Sequence, residues 1–315
     1  MENYPLVTVG IPNYNYARFI KEALDSAAAQ TYPNIELILV DDCSTDNSVM
    51  VIENWIKNYE GSFKILFIQN PKNMGLSKSC NVILKNANGK YFQLLDSDDV
   101  IYPFKISKQV EILESSPNAA LVYSNVSVVN EEGEITNPDY CDRIHYDKNN
   151  MPEGRVKDQL LEFNFITVHS ALVHTARAKE VGGFDETLAL QDYYMWLQLS
   201  EKYEIRFLNE CTAFYRIHSS SMSNNVKTNP DSVNSSITLK YRYYKTSSPS
   251  IRKKIAKNIQ FAAVYLYQHE HPASKKWLTI AFRLNPGIKT FLYSCSIRLN
   301  IPFSFFNKIK AISKR

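Results

Sequence analysis

The chain has 315 residues, of which 44% are hydrophobic and 22% charged, and its formal net charge is +4. This length accommodates one large domain with a sizeable core and an appendage. The five cysteines form no C-x-x-C pair, which argues against a disulfide framework and a zinc site. Because no signal-peptide pattern precedes the first strand and no apolar stretch is long enough to span a bilayer, we expect a cytoplasmic protein.

Two apolar segments near the start of the chain, residues 6–11 and 35–40, have the pattern of buried strands. A polar turn follows each of them. A helical stretch reaching Gln30 follows the first turn, and a helix starting near Asn47 follows the second. This repetition predicts an α/β fold with a mostly parallel sheet flanked by helices, in which ligands bind beyond the carboxyl ends of the strands.

An acidic cluster ends the next apolar segment, where Asp96, Asp98 and Asp99 follow Leu94 and Leu95. Carboxylate oxygens are hard ligands, and Mg²⁺ or Mn²⁺ held by them keeps open positions for water and for substrate phosphates. The cluster therefore indicates diphosphate chemistry. The alternative is an ordinary Asp-rich turn that caps a helix.

The C-terminal part of the chain differs in charge from the rest. Residues 226–315 contain 17 Lys and Arg against 2 Asp and Glu, whereas residues 1–225 contain 19 against 30. We expect a loop or linker over residues 223–236 and helices over residues 249–268 and 272–284. Aromatic residues and lysines after residue 302 are typical of a basic amphipathic helix.

This asymmetry predicts contact between residues 250–315 and an anionic surface, such as the inner face of the cell membrane. The alternative is a small helical subdomain that packs its aromatic side chains and leaves its lysines in solvent. No recognition motif for nucleic acid is present, and the sequence leaves oligomer formation open.

Five separated segments resemble the inverting family 2 glycosyltransferases of GT-A fold, in the same order and with similar spacing. They are residues 9–15, 39–46, 94–99, 181–197 and 215–218. The resemblance implies a catalytic domain over residues 1–223, followed by a linker and a basic, aromatic-rich helical region over residues 224–315. It also implies transfer of a sugar from a nucleoside diphosphate, expected to be UDP, to a hydroxyl of a glycan or lipid-linked acceptor, as in cell-surface polysaccharide synthesis.

The resemblance assigns roles to individual positions. Asp192 would be the catalytic base, and Asp41 would accept the N3 proton of a uracil ring. Asp96, Asp98, Asp99 and His218 would hold the Mn²⁺ or Mg²⁺ ion. The nucleotide-sugar donor would be bound by Pro12, Tyr14, Asn15, Asp41, Asn73, Gly75, Asp96, Ser97, Asp98, Arg216 and His218.

Two of these roles have structural alternatives. Asp192 would instead cap the helix that follows it. Asp41 would cap the helix that comes after its strand, although Asp42, Ser44 and Asp46 suit that capping role better. His169 and His174 have no partner in the pattern and stay unassigned.

Two positions depart from the family pattern. Cys80 stands where an arginine is common, which leaves Lys78 as the nearest cation, and Gln191 stands where a glutamate is common. The loss of a neighbouring charge at Gln191 is expected to lower the pKa of Asp192. These departures keep open a catalytically idle nucleotide-sugar-binding or assembly protein of the same fold. A nucleotidyltransferase and an NAD-dependent enzyme are disfavoured, because no glycine-rich phosphate loop follows a strand.

Overall fold

A computed structural model describes residues 4–219, 221, 229–287, 291–293, 295–296, 299 and 303. The chain divides into two compact units after Ser221.

Nine strands lie in the first unit: β1 Val7–Asn13, β2 Ile35–Asp41, β3 Lys64–Gln69, β4 Tyr91–Leu94, β5 Val100–Ile101, β6 Ala119–Val129, β7 Ile135–Asn137, β8 Leu172–His174 and β9 Glu204–Arg216. They form one mixed sheet in the spatial order β3-β2-β1-β4-β8-β6-β9-β5, and β7 pairs with β6.

Eight α-helices in the described part of the first unit connect these strands. They are α1 Ile20–Ala28, α2 Ser48–Lys57, α3 Leu76–Asn86, α4 Lys105–Ser115, α5 Tyr140–Arg143, α6 Lys157–Glu162, α7 Thr175–Glu180 and α8 Gln191–Lys202. Short 3₁₀ turns lie at Lys148–Asn150 and Val168–Ser170.

The first four strands explain why the sequence predicts a parallel sheet. Every residue of β1 and β2 is buried, and β1 pairs in parallel with both β2 and β4. Continuous apolar runs suit strands that are covered on both faces. Helix α1 buries Ile20, Ala23, Leu24 and Ala27 in the same core. The predicted α/β fold with a helix-flanked sheet is therefore confirmed.

Antiparallel strands in the second half of the unit return the chain to the end of β4. Strand β8 pairs with β4 so that Tyr91 lies opposite His174 and Phe92 opposite Val173. The 3₁₀ turn Val168–Ser170 lies just before β8, and this places His169 beside the acidic turn, with Nδ1 2.6 Å from Asp99 Oδ2. Strand β9 pairs with β5, with Val100 opposite Phe214, so Arg216 comes level with Asp98. The pairing of β8 with β4 and of β9 with β5 therefore brings side chains from distant parts of the chain close to the acidic turn.

The described part of the second unit contains three long helices: α9 Pro230–Arg242, α10 Pro249–Gln268 and α11 Ser274–Leu284. Helix α10 has the predicted bounds, with Ser248 as its N-cap and Pro249 in its first turn. The expected loop over residues 223–236 is wrong from Pro230 onward. Asn229 caps α9 there by accepting the amides of Asp231 and Ser232.

The apolar face predicted for α11 is present, with Trp277 and Ala281 fully buried. The helix begins at Ser274, two residues after the expected start. The amphipathic helix expected after residue 302 lies outside the described residues, except for Phe303. No helix among the described residues is both long enough and apolar enough to cross a membrane.

Candidate active site

The ends of β1 and β2 are tied together by side chains of the predicted nucleotide pocket. Asp41 is fully buried, and its carboxylate accepts hydrogen bonds from Asn13 Nδ2 at 2.8 Å, from Ser44 N at 2.8 Å and from Ser44 Oγ at 2.6 Å. Pro12 is also buried. Asp41 therefore organises the turn that follows its own strand.

In the turn after β1, the side chain of Asn15 holds the backbone, whereas that of Tyr14 faces solvent. Asn15 has a φ of 59°, and its Oδ1 accepts the amide of Thr45 at 2.7 Å. This left-handed conformation is one that asparagine tolerates better than most residues. Tyr14 is 40% exposed, so its ring is available for stacking against a planar ligand.

Asp42 anchors the loop that contains Asn73 and Gly75, two predicted donor-binding residues, and does not cap α2. Its carboxylate accepts the amide of Met74 at 2.8 Å and that of Gly75 at 2.7 Å. Gly75 has a φ of 90°, which explains why glycine stands there. Asn73 is exposed beside it. Capping next to α2 is supplied by Asp46, which accepts the amide of Ser48 at 2.9 Å.

The acidic turn after β4 concentrates three carboxylates in a largely buried space. Asp99 is 2% exposed, Ser97 is buried, and Asp96 and Asp98 are partly buried. Burial, together with the neighbouring carboxylates, raises the pKa of Asp96 and of Asp99 well above the usual range. Without a compensating cation these groups favour protons, which is the property expected of an ion-binding cluster.

His169 lies inside this cluster, although nothing in the local sequence pattern marks it. Its Nδ1 is 2.6 Å from Asp99 Oδ2, but the contact lacks hydrogen-bond geometry, and neither ring nitrogen has a hydrogen-bond partner among the described residues. One ligand atom each from Asp96, Asp99 and His169 lie within 4.8 Å of one another. Burial lowers the pKa of His169 to about 4, so the ring is neutral at physiological pH.

His218, the predicted metal ligand, forms a separate pair with Asp98. Its Nε2 lies 3.0 Å from Asp98 Oδ2, and its ring packs against Phe19 at a centroid distance of 4.7 Å. Tyr16 contacts the same ring edge-on, and burial plus the three carboxylates raise the Tyr16 pKa. Asp98 and His218 thus adjoin the group formed by Asp96, Asp99 and His169.

The guanidinium of Arg216 donates hydrogen bonds to other residues of the protein, whereas the family resemblance predicts that it contacts the donor. Its Nε donates to Asp98 O at 2.9 Å, its Nη1 to Glu131 O at 3.0 Å, and its Nη2 to Glu22 at 2.5 Å. Its backbone amide donates to Asp99 Oδ1 at 2.8 Å. Arg216 therefore fixes the backbone of the acidic turn, and a direct contact with the donor stays a prediction.

We expect Arg216→Lys to lower the free energy of unfolding by about 1–3 kcal/mol, because a lysine cannot reproduce the fork of donors and leaves buried carbonyls unpaired. The matched control is Arg18→Lys, since Arg18 is 60% exposed and pairs with Glu131 at the surface. Chemical denaturation measures both variants. An equal loss in both would contradict the anchoring role of Arg216.

Asp192 lies in the first turn of α8. Its carboxylate accepts hydrogen bonds from its own backbone amide, from the amide of Tyr193 and from the side chain of Asn164. The N-cap position of α8 is Leu190, so Asp192 lies inside the helix and not at the cap position that the alternative gave it. Burial raises the pKa of Asp192, although these hydrogen bonds and His169 oppose the shift. The effect expected from Gln191 in place of a glutamate stays a prediction, and burial is the largest influence on the pKa of Asp192. Asp192 also interacts electrostatically with Asp96.

A glycine turn sets the direction from which α8 enters the site. Gly183 has a φ of 70°, and a Cβ there would lie 2.7 Å from Asn81 Oδ1. That oxygen accepts the amide of Phe184 at 2.9 Å, and Asn81 Nδ2 donates to Phe184 O at 2.9 Å. Asn81 of the atypical Cys80-Asn81 pair therefore holds the segment leading to α8.

Cys80 lies close enough to three aspartates to interact with them electrostatically. It is fully buried, and burial together with Asp96, Asp192 and Asp42 raises its pKa well above the usual range. The thiol is therefore neutral and does not replace the cation that an arginine would supply. Lys78 is partly exposed and makes no ion pair within the part of the chain that the structure describes.

Comparisons with known proteins identify the family and the fold of the chain. Residues 8–173 match the family described as glycosyl transferase family 2. Among curated proteins, the putative teichuronic acid biosynthesis glycosyltransferase TuaG of Bacillus subtilis is 29% identical over 222 residues, which cover 70% of this chain and 82% of TuaG. In five rickettsial relatives the matching region covers only 32–66% of the protein, so this chain spans less than two thirds of their length.

Two solved structures share the fold at low sequence identity. S. aureus TarS 1-349 in complex with UDP-GlcNAc has a TM-score of 0.62 and 16% identity, covering 93% of this chain and 92% of the other. The mannosyltransferase PcManGT from Pyrobaculum calidifontis, solved with GDP-Man and Mn²⁺, has a TM-score of 0.61 and 18% identity, covering 98% and 85%. These likenesses confirm the predicted GT-A type of fold.

Proposed function

Because the chain belongs to glycosyl transferase family 2, we propose that it transfers a sugar, with inversion, from a nucleoside diphosphate to a hydroxyl of a glycan or lipid-linked acceptor. The observation that carries this proposal is the convergence of the acidic turn, His169 and Asp192. They come from three distant segments and interact electrostatically beyond the end of β4. We assign catalysis to residues 1–223, with residues 224–315 as the accessory region.

The donor would bind along the turns after β1, β2 and β4, with UDP as the proposed nucleotide. Tyr14 is the exposed ring that a base can stack on. Asp41 already accepts three internal hydrogen bonds, so its contact with a uracil N3 proton would use its remaining acceptor capacity. The solved complex of TarS with UDP-GlcNAc supports this class of donor.

A divalent cation, Mn²⁺ or Mg²⁺, fits the residues at the acidic turn. The carboxyls of Asp96 and Asp99 have raised pKa values, and the buried nitrogens of His169 form no hydrogen bond with any described residue. Asp96, Asp98, Asp99 and His218 are the ligands that the family resemblance proposes. When bound, the ion would act as a Lewis acid toward the charge that develops on the leaving diphosphate.

Asp192 would act as the general base. The acceptor oxygen attacks the anomeric carbon, the bond from that carbon to the diphosphate oxygen breaks, and the diphosphate leaves with the electron pair. The hydroxyl proton passes to the carboxylate of Asp192, whose raised pKa improves it as a proton acceptor near neutral pH. Attack opposite the leaving group gives inversion.

Release of UDP from a panel of UDP-sugars tests this proposal, because slow donor hydrolysis requires no acceptor. Release that needs Mn²⁺ or Mg²⁺ and is lost with EDTA supports it. If UDP binds with metal but no sugar donor is hydrolysed or transferred to any acceptor tried, the chain is the catalytically idle binding or assembly protein that Cys80 and Gln191 leave open. If GDP binds and UDP does not, the proposed transferase activity is retained, but uracil is the wrong nucleobase.

The acceptor side would lie near an anionic membrane surface, and the name of TuaG supports cell-surface polysaccharide synthesis. In the second unit, α10 presents Lys253, Lys254 and Lys257 to solvent, and Phe261 is 66% exposed. Lysines flanking an exposed aromatic side chain are typical of a helix face that binds anionic lipid.

We expect the double change Lys253→Gln and Lys257→Gln to weaken binding to phosphatidylglycerol vesicles about tenfold to thirtyfold, because each basic residue near such a surface contributes about 1 kcal/mol. Sedimentation with vesicles measures this. The control, Lys57→Gln with Lys64→Gln, makes the same change in charge at exposed positions of the first unit. Equal weakening in both pairs would point to net charge alone.

A further inference from the structure

In the proposed transferase site, the side chain of His169 lies in a buried environment that the sequence around it does not predict. The side chain is 2% exposed, and within the part of the chain that the structure describes neither ring nitrogen has a hydrogen-bond partner. Burying a polar atom without a partner is unfavourable, so such atoms in a folded protein call for a ligand. The ring is directed toward Asp99, with Nδ1 2.6 Å from Asp99 Oδ2.

The spacing of the surrounding atoms suits a metal ion. Ligand atoms from Asp96, Asp99 and His169 lie within 4.8 Å of one another. In an octahedral site with metal–ligand distances of about 2.1 Å, adjacent ligand atoms lie about 3 Å apart. The distance of 2.6 Å from His169 Nδ1 to Asp99 Oδ2 is close to this spacing, and all three atoms are near enough to be brought onto one ion by side-chain adjustment. The partly exposed Asp96 keeps the cluster in contact with solvent.

A polar network behind His169 fixes the backbone that carries the ring. Gln93 Nε2 donates to His169 O at 3.3 Å, and Gln109 Nε2 donates to Ser170 O at 2.7 Å. The buried amino group of Lys105 donates to the side-chain oxygens of both glutamines, which orients their amide groups toward this turn. These hydrogen bonds hold the main chain at His169 and Ser170 in place.

We propose that His169 is a ligand of the ion, completing with Asp96 and Asp99 a mixed carboxylate and imidazole site that selects Mn²⁺ over Mg²⁺. Mg²⁺ takes oxygen ligands and dehydrates reluctantly, whereas an imidazole nitrogen is a good ligand for first-row transition metals. The inference rests on the proposed function for its biological meaning. It differs from the family resemblance, which assigns the histidine ligand to His218.

Electron paramagnetic resonance of the full chain with Mn²⁺, without and with UDP, tests this assignment directly. Free Mn²⁺ gives the dissociation constant, and pulsed spectra detect a coordinated imidazole nitrogen. We expect His169→Asn to abolish the nitrogen coupling and to weaken Mn²⁺ binding at least tenfold, with a smaller effect on Mg²⁺ measured by competition. His174→Asn, at a half-buried histidine beside Tyr91, should change neither.

His218→Asn separates the two candidate histidines and should keep the nitrogen coupling. Loss of the coupling in His218→Asn with its persistence in a folded His169→Asn protein would overturn the proposal. Labelling histidine with ¹⁵N in the unmodified chain guards against misfolding, because coupling that does not change with the label also refutes histidine ligation. Absence of Mn²⁺ binding with and without UDP would overturn it too. A chain that binds Mn²⁺ through His169 but releases no nucleotide would instead refute the transferase.

Discussion

Replacing Asp192 by asparagine is expected to lower the proposed sugar transfer by about 10²–10⁴-fold, the range for loss of a positioned general base. Asparagine keeps the size of the side chain and its position in the first turn of α8, so the donor should still bind with unchanged affinity. Single-turnover transfer, measured together with UDP binding by calorimetry, separates these effects. The matched control is Gln191→Ala at the preceding, partly exposed position, which should retain most of its activity.

The pH dependence of the unmodified protein gives a second readout for Asp192. Burial raises its pKa, so the carboxyl is protonated up to a higher pH than an ordinary aspartate. Transfer should therefore fall as pH decreases through this raised pKa, and the acid limb should lie above pH ~4, where an unperturbed aspartate titrates. The limb should be absent from the residual activity of Asp192→Asn. An unchanged acid limb in that variant would assign it to another group.

Replacing Asp98 by asparagine should lower metal-dependent release of UDP by about 10²-fold or more, because a cation that stabilises the leaving diphosphate contributes several kcal/mol. The stability of the metal-free protein should change by less than about 1 kcal/mol. Removing the Asp98 charge relieves repulsion on Asp96 and Asp99, and the asparagine still has an atom that can contact His218. Donor turnover and chemical denaturation measure the two effects.

The control for this change is Asp25→Asn, at an exposed aspartate of α1 that pairs with Lys21 at the surface. It removes the same charge away from the acidic turn and should leave metal-dependent turnover unchanged. Undiminished release of UDP by a well-folded Asp98→Asn protein would show that this carboxylate does not serve the ion. A large loss of stability in the metal-free variant would indicate a structural role for the pair with His218 instead.

The predicted parts of the site are those that follow strands of the parallel half of the sheet. The Asp41 turn and the acidic turn after Leu94 come at the ends of strands with clear apolar patterns, and such strands end at one edge of the sheet. Local patterns also identified α10, because Ser248 and Pro249 are strong signals of a helix start. The Asn- and Ser-rich run obscured the start of α9, where Asn229 and Pro230 give the same kind of signal.

The roles of single side chains were harder to predict, since they depend on burial and on partners far along the chain. Arg216 contacts Asp98 and Glu22, which lie more than 100 residues away, and this commits its donors within the protein. The pKa of Asp192 is raised because tertiary packing removes water from it, an effect that the neighbouring Gln191 does not offset.

The sequence by itself determined the α/β fold and the position of the acidic turn, because these follow from local apolar patterns and from residues adjacent in the chain. The tertiary structure alone decided that His169 joins Asp96 and Asp99 while His218 pairs with Asp98. The physical reason is the antiparallel register of β8 on β4 and of β9 on β5, which brings remote residues to the turn. Such a register depends on contacts across the sheet and leaves no periodic signal around His169.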